Sequence, residues 1–366
     1  MRKSLLLCSL LAYAGAISAQ TEYKGYTLVW NDEFETPGTP NPDIWGYETG
    51  FQRNHEDQWY QADNAYVEDG KLVIEGRREK FANPWYQAGS SDWRRSRENV
   101  EYTSACVTTK ESISWLYGRF EICARIPAYV GCWPAIWLLG TQDSWPQCGE
   151  IDIMEYYQIN GKAHILANTA WGSATSQYNP TWNTQRYPVD DFIANDPDWA
   201  NKFHVWRMDW DENYIKIYID GKLLNITPLE GTYNAQADYY PYVGVNPFRR
   251  PQYMLLNLAL GGDNGGSLSS TPFPCKYEID YVRVYEKNAS GLENVEADAP
   301  SINVVGDTVT VTSSQQPIAI DVYNLAGSQL RRLPQATFHN FELLPGAYIL
   351  QCSSATATTS YKVIVA

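Results

Sequence analysis

Three carboxylates lie within six residues in Gly149-Glu150-Ile151-Asp152-Ile153-Met154-Glu155-Tyr156-Tyr157. Aromatic residues stand on both sides, with Trp133, Trp137 and Trp145 before the stretch and Trp171 after it. Ile and Tyr favour a strand. Strand side chains alternate, so Glu150 and Asp152 share a face while Glu155 has the opposite parity. One extra residue at Ile153-Met154, a β-bulge, corrects this and bends the strand. The pattern therefore predicts three acids on one concave face. An edge strand with its acids in solvent is the alternative, but solvated acids do not need flanking aromatics.

Two carboxylates across one bond are the equipment of glycoside hydrolysis, one attacking the anomeric carbon and the other protonating the leaving oxygen. The second must hold its proton near neutral pH, and a negative neighbour and a dry aromatic wall both raise a Glu pKa. Asp152 can be that neighbour and can also orient Glu150. If both Glu residues serve one sugar, the expected gap is the retaining one, about 5–5.5 Å.

The elements that must hold these groups read as short strands. Leu72–Glu79, Cys106–Lys110, Phe120–Ile126, Ile165–Trp171, His204–Trp210 and Tyr214–Ile219 are broken by Gly, Pro and Asn, and no long helical periodicity appears. Asp211-Glu212-Asn213 joins the last two, and Asp220-Gly221 turns the chain again. The expected fold is all-β, a jelly-roll β-sandwich with a concave substrate groove, plus a small C-terminal β-sandwich. Trp133 and Trp137, four apart, share a strand face, and at least one is expected to stack on sugar.

The 366 residues accommodate one large domain and one small one. We divide them into a signal peptide (1–19), a catalytic domain (20–288), a linker (289–300) and a C-terminal β domain (301–366). The basic start Met1-Arg2-Lys3, the apolar run to Ile17 and Ser18-Ala19 read as a secretory signal cut after Ala19. That run is too short to span a bilayer. A lipoprotein reading through Cys8 is weaker, because little apolar chain precedes it. A secreted, periplasmic or cell-surface monomer is expected. The net charge of −14 argues against nucleic acid and anionic membranes and makes a heavily sulfated substrate less natural unless a local basic patch overrides the total; the expected partner is a polysaccharide. Six cysteines follow Ala19: Cys106, Cys123, Cys132, Cys148, Cys275 and Cys352. A Cys132–Cys148 bridge clamping the cleft and buried free thiols both remain open. Asp92-Trp93-Arg94-Arg95-Ser96-Arg97 is a basic loop, read as solvated in preference to reaching the substrate rim. Asn257, polar in an apolar run, is read as structural.

GEIDIMEYY resembles the active-site signature of glycoside hydrolase family 16 in its bulged form. Segments in matching order are Val29–Phe34, Asp69–Glu75, Tyr102–Ala105, Tyr117–Glu121, Trp133–Trp137 and Asp280–Tyr285, so the resemblance covers about residues 22–287. It implies a jelly-roll and endo-acting, retaining hydrolysis of β-linked polysaccharides, with Glu150 as nucleophile, Asp152 as its assistant and Glu155 as acid/base. It places Asn54, in the 53–60 loop, beside the non-reducing subsites, and Trp115 similarly. No cofactor is required, but the family often binds a calcium ion, and Glu33, Gly70 and Asp280 match those positions. Where laminarinase-like members carry a His-Gly-Thr type sequence, this chain has Leu166–Gly172, with Trp171 in the histidines' place. A flat indole accepts the axial O4 of galactose, so an endo-β-galactosidase acting on keratan- or mucin-type glycans is the alternative to the leading expectation, a β-1,3- or mixed-linked glucanase. A non-catalytic glycan-binding jelly-roll is the third possibility, and the intact acid set argues against it. Residues 320–327 and 344–349 resemble the C-terminal sorting domain of the Bacteroidetes type IX export system, although the chain ends Ile364-Val365-Ala366 without basic residues.

Overall fold

Period-two alternation of apolar and polar residues builds the sheets. In the strand His204–Trp210, the first, third, fifth and seventh side chains are buried and the others half-exposed, as a strand with one face on a core requires. The computed structural model of the chain describes residues 23–173, 179–234, 244–288, 300–313, 317–325, 327–354 and 358–365. The expected signal peptide, Cys8 and nearly all of the linker lie outside them.

The chain forms two compact units, Met1–Asn288 and Ala289–Ala366. The first is a jelly-roll sandwich of two antiparallel sheets. The back sheet has eight strands, in the order Lys222–Pro228, Tyr214–Ile219, His204–Trp210, Gly118–Arg125, Cys275–Lys287, Lys71–Gly76 and Ala65–Glu68, with Tyr26–Asp32 also paired to Cys275–Lys287. The front sheet has seven, in the order Pro180–Pro188, Lys162–Gly172, Glu150–Ile159, Cys132–Gly140, Gln252–Leu260, Cys106–Thr108 and Gly46–Tyr47. Trp45, Phe120, Ile136, Trp206, Phe248 and Val282 belong to the core cluster that fills this unit. Burying this much aromatic and branched surface is the main stabilising term.

Both predicted hairpin strands, His204–Trp210 and Tyr214–Ile219, match the structure end to end. Asp220 and Gly221 both take positive φ, at 47° and 79°, the conformation a tight two-residue hairpin turn needs. Gln252–Leu260 is buried along its whole length, being paired on both edges inside the front sheet. Its Asn257 is satisfied as a buried amide must be, accepting from Trp137 Nε1 at 2.7 Å and donating to the Tyr60 hydroxyl at 3.0 Å.

The six cysteines are buried free thiols. Cys132 does not meet Cys148. It faces Cys275 from the opposite sheet, Sγ to Sγ 3.6 Å. The second unit has its own core, including Val309, Ile320 and Leu350, between a three-stranded and a four-stranded sheet. Among the described residues, no helix is long and apolar enough to cross a membrane.

Candidate active site

The chain enters the catalytic strand through Gly149, at φ 78°. A Cβ there would lie 2.8 Å from Pro247 Cβ, so both the dihedral and the space require glycine. Across the strand Cys132–Gly140, Glu155 pairs with Ala135 and Asp152 with Trp137. Across Lys162–Gly172, Glu155 pairs with Leu166 and Asp152 with Asn168. Three steps on one strand thus oppose two on its neighbour, which is the bulge the acids' parity demanded. Ile153 and Met154 both turn into the core, while Glu150, Asp152, Glu155 and Tyr157 line a groove of about 640 Å³.

Each acid has a distinct setting. Glu155 accepts from Trp133 Nε1 at 3.0 Å and from Asn168 Nδ2 at 2.8 Å. Burial and the Glu150 charge nevertheless push it up to about 7, against the pull of those two donors. Burial also raises Glu150, while hydrogen bonds from Trp145 Nε1 and Asp152 and the charge of Arg53 favour its ionised form. Asp152 is held well above the carboxylate range by burial and by both neighbouring acids, and its Oδ2 has no hydrogen-bond partner. A proton on Asp152 that bonds Glu150 satisfies both groups, since a lone buried charge is costly.

One wall of the groove is the turn 53–58. Asn54 and His55 both hold positive φ, at 55° and 51°. Gly262 lets this turn approach, because a Cβ there would fall 2.7 Å from Asn54 O. Asn54 Nδ2 donates to Glu56 at 3.3 Å, and Gln58 Nε2 donates to Glu56 at 2.7 Å. Glu56 is buried, and burial pushes it up to about 7 although Arg53 and these donors pull the other way. Arg53 pairs with Glu48 and lies over Trp137 at 5.0 Å.

The basic loop is neither a substrate rim nor simply solvated. Arg94 donates to Gln52 O at 2.7 and 3.1 Å, and Arg97 donates to Glu56 O at 2.8 Å and His55 O at 2.9 Å. Arg97 also stacks on Phe51 and Trp93, each at 4.9 Å. The loop is a strut behind the turn. Backbone carbonyls distant in sequence were its partners, and composition carries no sign of them.

Trp133, Trp137 and Asn54 line the groove as expected. Trp115 does not. It is 8% exposed and packs in the core against Trp30 and Phe120. Trp171 does not line the groove either. Glu150 pairs with Ala170, so Trp171, one residue on, faces the other way and packs edge-on against Phe248. The indole beside that row is Trp182 of the outer strand Pro180–Pro188, paired with Ala170 and 43% exposed. Thr184 and Arg186 follow it on the same face, and all three line the groove. Their two-residue spacing is the alternation that marks one face of a strand.

Of the three expected calcium positions, Glu33 and Asp280 lie close enough for their charges to interact. Glu33 accepts two hydrogen bonds from Arg283, both 2.8 Å. Burial and the nearby Glu33 raise Asp280, and Gly70 sits in a turn at φ 70°. No group of three or more His, Cys, Asp or Glu suited to a metal occurs among the described residues.

The model for glycosyl hydrolases family 16 matches residues 52–283. A beta-glucanase of Rhodothermus marinus is 34% identical, covering 78% of this chain and 94% of that protein. A keratan-sulfate endo-1,4-beta-galactosidase of Sphingobacterium multivorum is 27% identical over 71% of this chain and 55% of its own length. Among solved structures, one from work on endo-acting O-glycanases by which human gut microbiota initiate mucin breakdown gives a TM-score of 0.64, with 33% identity over 73% of this chain and 93% of that one. The laminarinase catalytic domain of Thermotoga maritima gives 0.57, with 31% identity over 72% and 99%.

Proposed function

The chain belongs to family 16 of the glycosyl hydrolases, and from that premise we propose that it is a retaining endo-glycanase of galactose-containing, mucin- or keratan-type glycans. The observation that carries the chemistry is the bulge that turns Glu150, Asp152 and Glu155 to one groove face. Glu150 attacks the anomeric carbon as a carboxylate, with Trp145 N–H and the Asp152 proton as its hydrogen-bond donors. Glu155, held near 7 by burial and the Glu150 charge, gives its proton to the leaving oxygen. It then takes a proton from the water that hydrolyses the glycosyl–Glu150 ester, so the configuration is retained.

Two observations support the galactose reading. Trp145 donates to Glu150, and Trp182 stands in its cross-strand row. These indoles take the place expected of Trp171, and a flat wall there accepts an axial O4. The O-glycanase structure also has a higher TM-score than the laminarinase. A β-1,3- or mixed-linked glucan is the second reading, favoured by the identity to the beta-glucanase. Product analysis on galactose–N-acetylglucosamine oligosaccharides, laminarin and mixed-linked glucan decides between them. Cleavage of the galactosyl bond is expected, and turnover of glucans alone would replace this reading with the second.

The N-terminal segment supports export, and the C-terminal unit supports a sorting or accessory role. Cell fractionation of full-length and 1–288 chains tests both, with cytoplasmic retention of the full chain the contrary outcome.

A further inference from the structure

Among the described residues two cations line the groove, and they are in opposite states. Arg53 is ion-paired with Glu48 and stacked on Trp137. Arg186 is exposed and makes no hydrogen bond or ion pair with any described residue. Its place is set by register: Arg186 pairs with Leu166, and Leu166 pairs with Glu155. Two strand spacings put its backbone about 9–10 Å from that of Glu155. Thr184 and Trp182 continue the same face of this edge strand.

A guanidinium with its fork unfilled binds sulfate or carboxylate through two parallel hydrogen bonds. The protein's net charge of −14 would repel such a group elsewhere, so one uncompensated arginine at the groove edge discriminates strongly. We infer that Thr184 and Arg186 form a leaving-group-side subsite for a sugar bearing an anionic substituent, a sulfate ester or a carboxylate. Thr184 bonds a hydroxyl and Arg186 takes the charge, while Trp182, in the Glu150 row, walls the galactose. The side follows from Glu155, which gives its proton to the leaving oxygen and whose cross-strand row holds Arg186. The assignment rests on the galactosyl-glycan reading above and deepens it.

The test uses a galactose–N-acetylglucosamine tetrasaccharide in neutral, 6-sulfated and 6-carboxylated forms, with the substituent on the sugar that follows the cleaved bond. Dissociation constants are measured by calorimetry on Glu150→Gln protein, which needs no turnover, with and without Arg186→Ala. Arg186→Ala should weaken the anionic forms about tenfold, the order of one charge-assisted hydrogen bond, and the neutral form less than twofold. The preference should shrink as salt rises. Arg186→Lys should keep part of it, and Trp182→Ala should weaken all three forms alike. Whichever of the sulfated and carboxylated forms loses more identifies the substituent. Equal losses on neutral and anionic ligands, or none, would overturn the subsite. If wild-type protein bound the anionic forms preferentially but hydrolysed none of the three, the subsite would stand and the galactosyl-hydrolase reading would fall.

Discussion

The two walls of the groove solve opposite problems. At the 53–58 turn, polar side chains are already bonded to each other: Glu56 to Asn54 and Gln58, Arg53 to Glu48, with Arg97 bonded to the carbonyls behind. On the outer strand, Trp182 and Arg186 are exposed, and Arg186 has no bonded partner among the described residues. Buried polar groups must be satisfied internally, so the first wall is preorganised and costs the ligand little ordering. Exposed groups are satisfied by water until a ligand replaces it. The first wall therefore sets geometry for every substrate, and the second discriminates among substituents.

The contrast presupposes one reaction centre between the walls, and the largest effects test that. Glu150→Gln should lower kcat by roughly 10⁴-fold or more on any substrate. Glu155→Ala should lower it by about 10²–10⁴-fold on natural glycans but spare substrates with good leaving groups, which need little protonation. Azide should then yield a β-glycosyl azide, as seen by NMR. The same β product from Glu150→Ala instead would reverse the two roles.

Next in size is the strut. Arg97→Ala removes two hydrogen bonds to backbone carbonyls, and kcat/KM should fall about tenfold on neutral and anionic substrates alike. A loss confined to anionic substrates would erase the distinction between the walls. A smaller effect concerns Glu155 as the proton donor. Because its pKa is raised to about 7, the required proton is lost as pH rises, and kcat/KM should decline above about pH 7. The Trp133 donor favours the ionised form. Trp133→Phe should therefore move this alkaline limb upward, and a downward move would show that Glu155 is not the group reported.

The smallest effect is on stability. Burial raises Glu56 to about 7, so the folded chain binds its proton more tightly than the unfolded chain does. The stability this contributes is complete below the unfolded pKa, near 4.3, and is lost as pH rises through 7. Thermal unfolding of Glu56→Gln protein should show a Tm that falls less between pH 5 and 8 than wild type, by a few degrees. Identical profiles would mean that this wall carries no buried titrating charge.

Local pattern sufficed for the catalytic strand, because the acids' parity within six residues admits one solution, a bulge. It also sufficed for the His204–Trp210 and Tyr214–Ile219 hairpin, where alternation and a turn signal agree, and for the shared face of Trp133 and Trp137. Alternation relates residues only within one strand. Whether Trp171 or its neighbour Ala170 faces the groove depends on register with Glu150, and a slip of one residue exchanges the faces. For the same reason Trp182 could be assigned to the groove only through its pairing with Ala170. Trp115 depended on which core surrounds it, and the Cys132–Cys275 contact joins residues 143 apart. Arg94 and Arg97 found partners about forty residues away. The sequence by itself determined the reaction, because its acids are contiguous. The tertiary structure decided the walls, because non-local pairing brings their residues together.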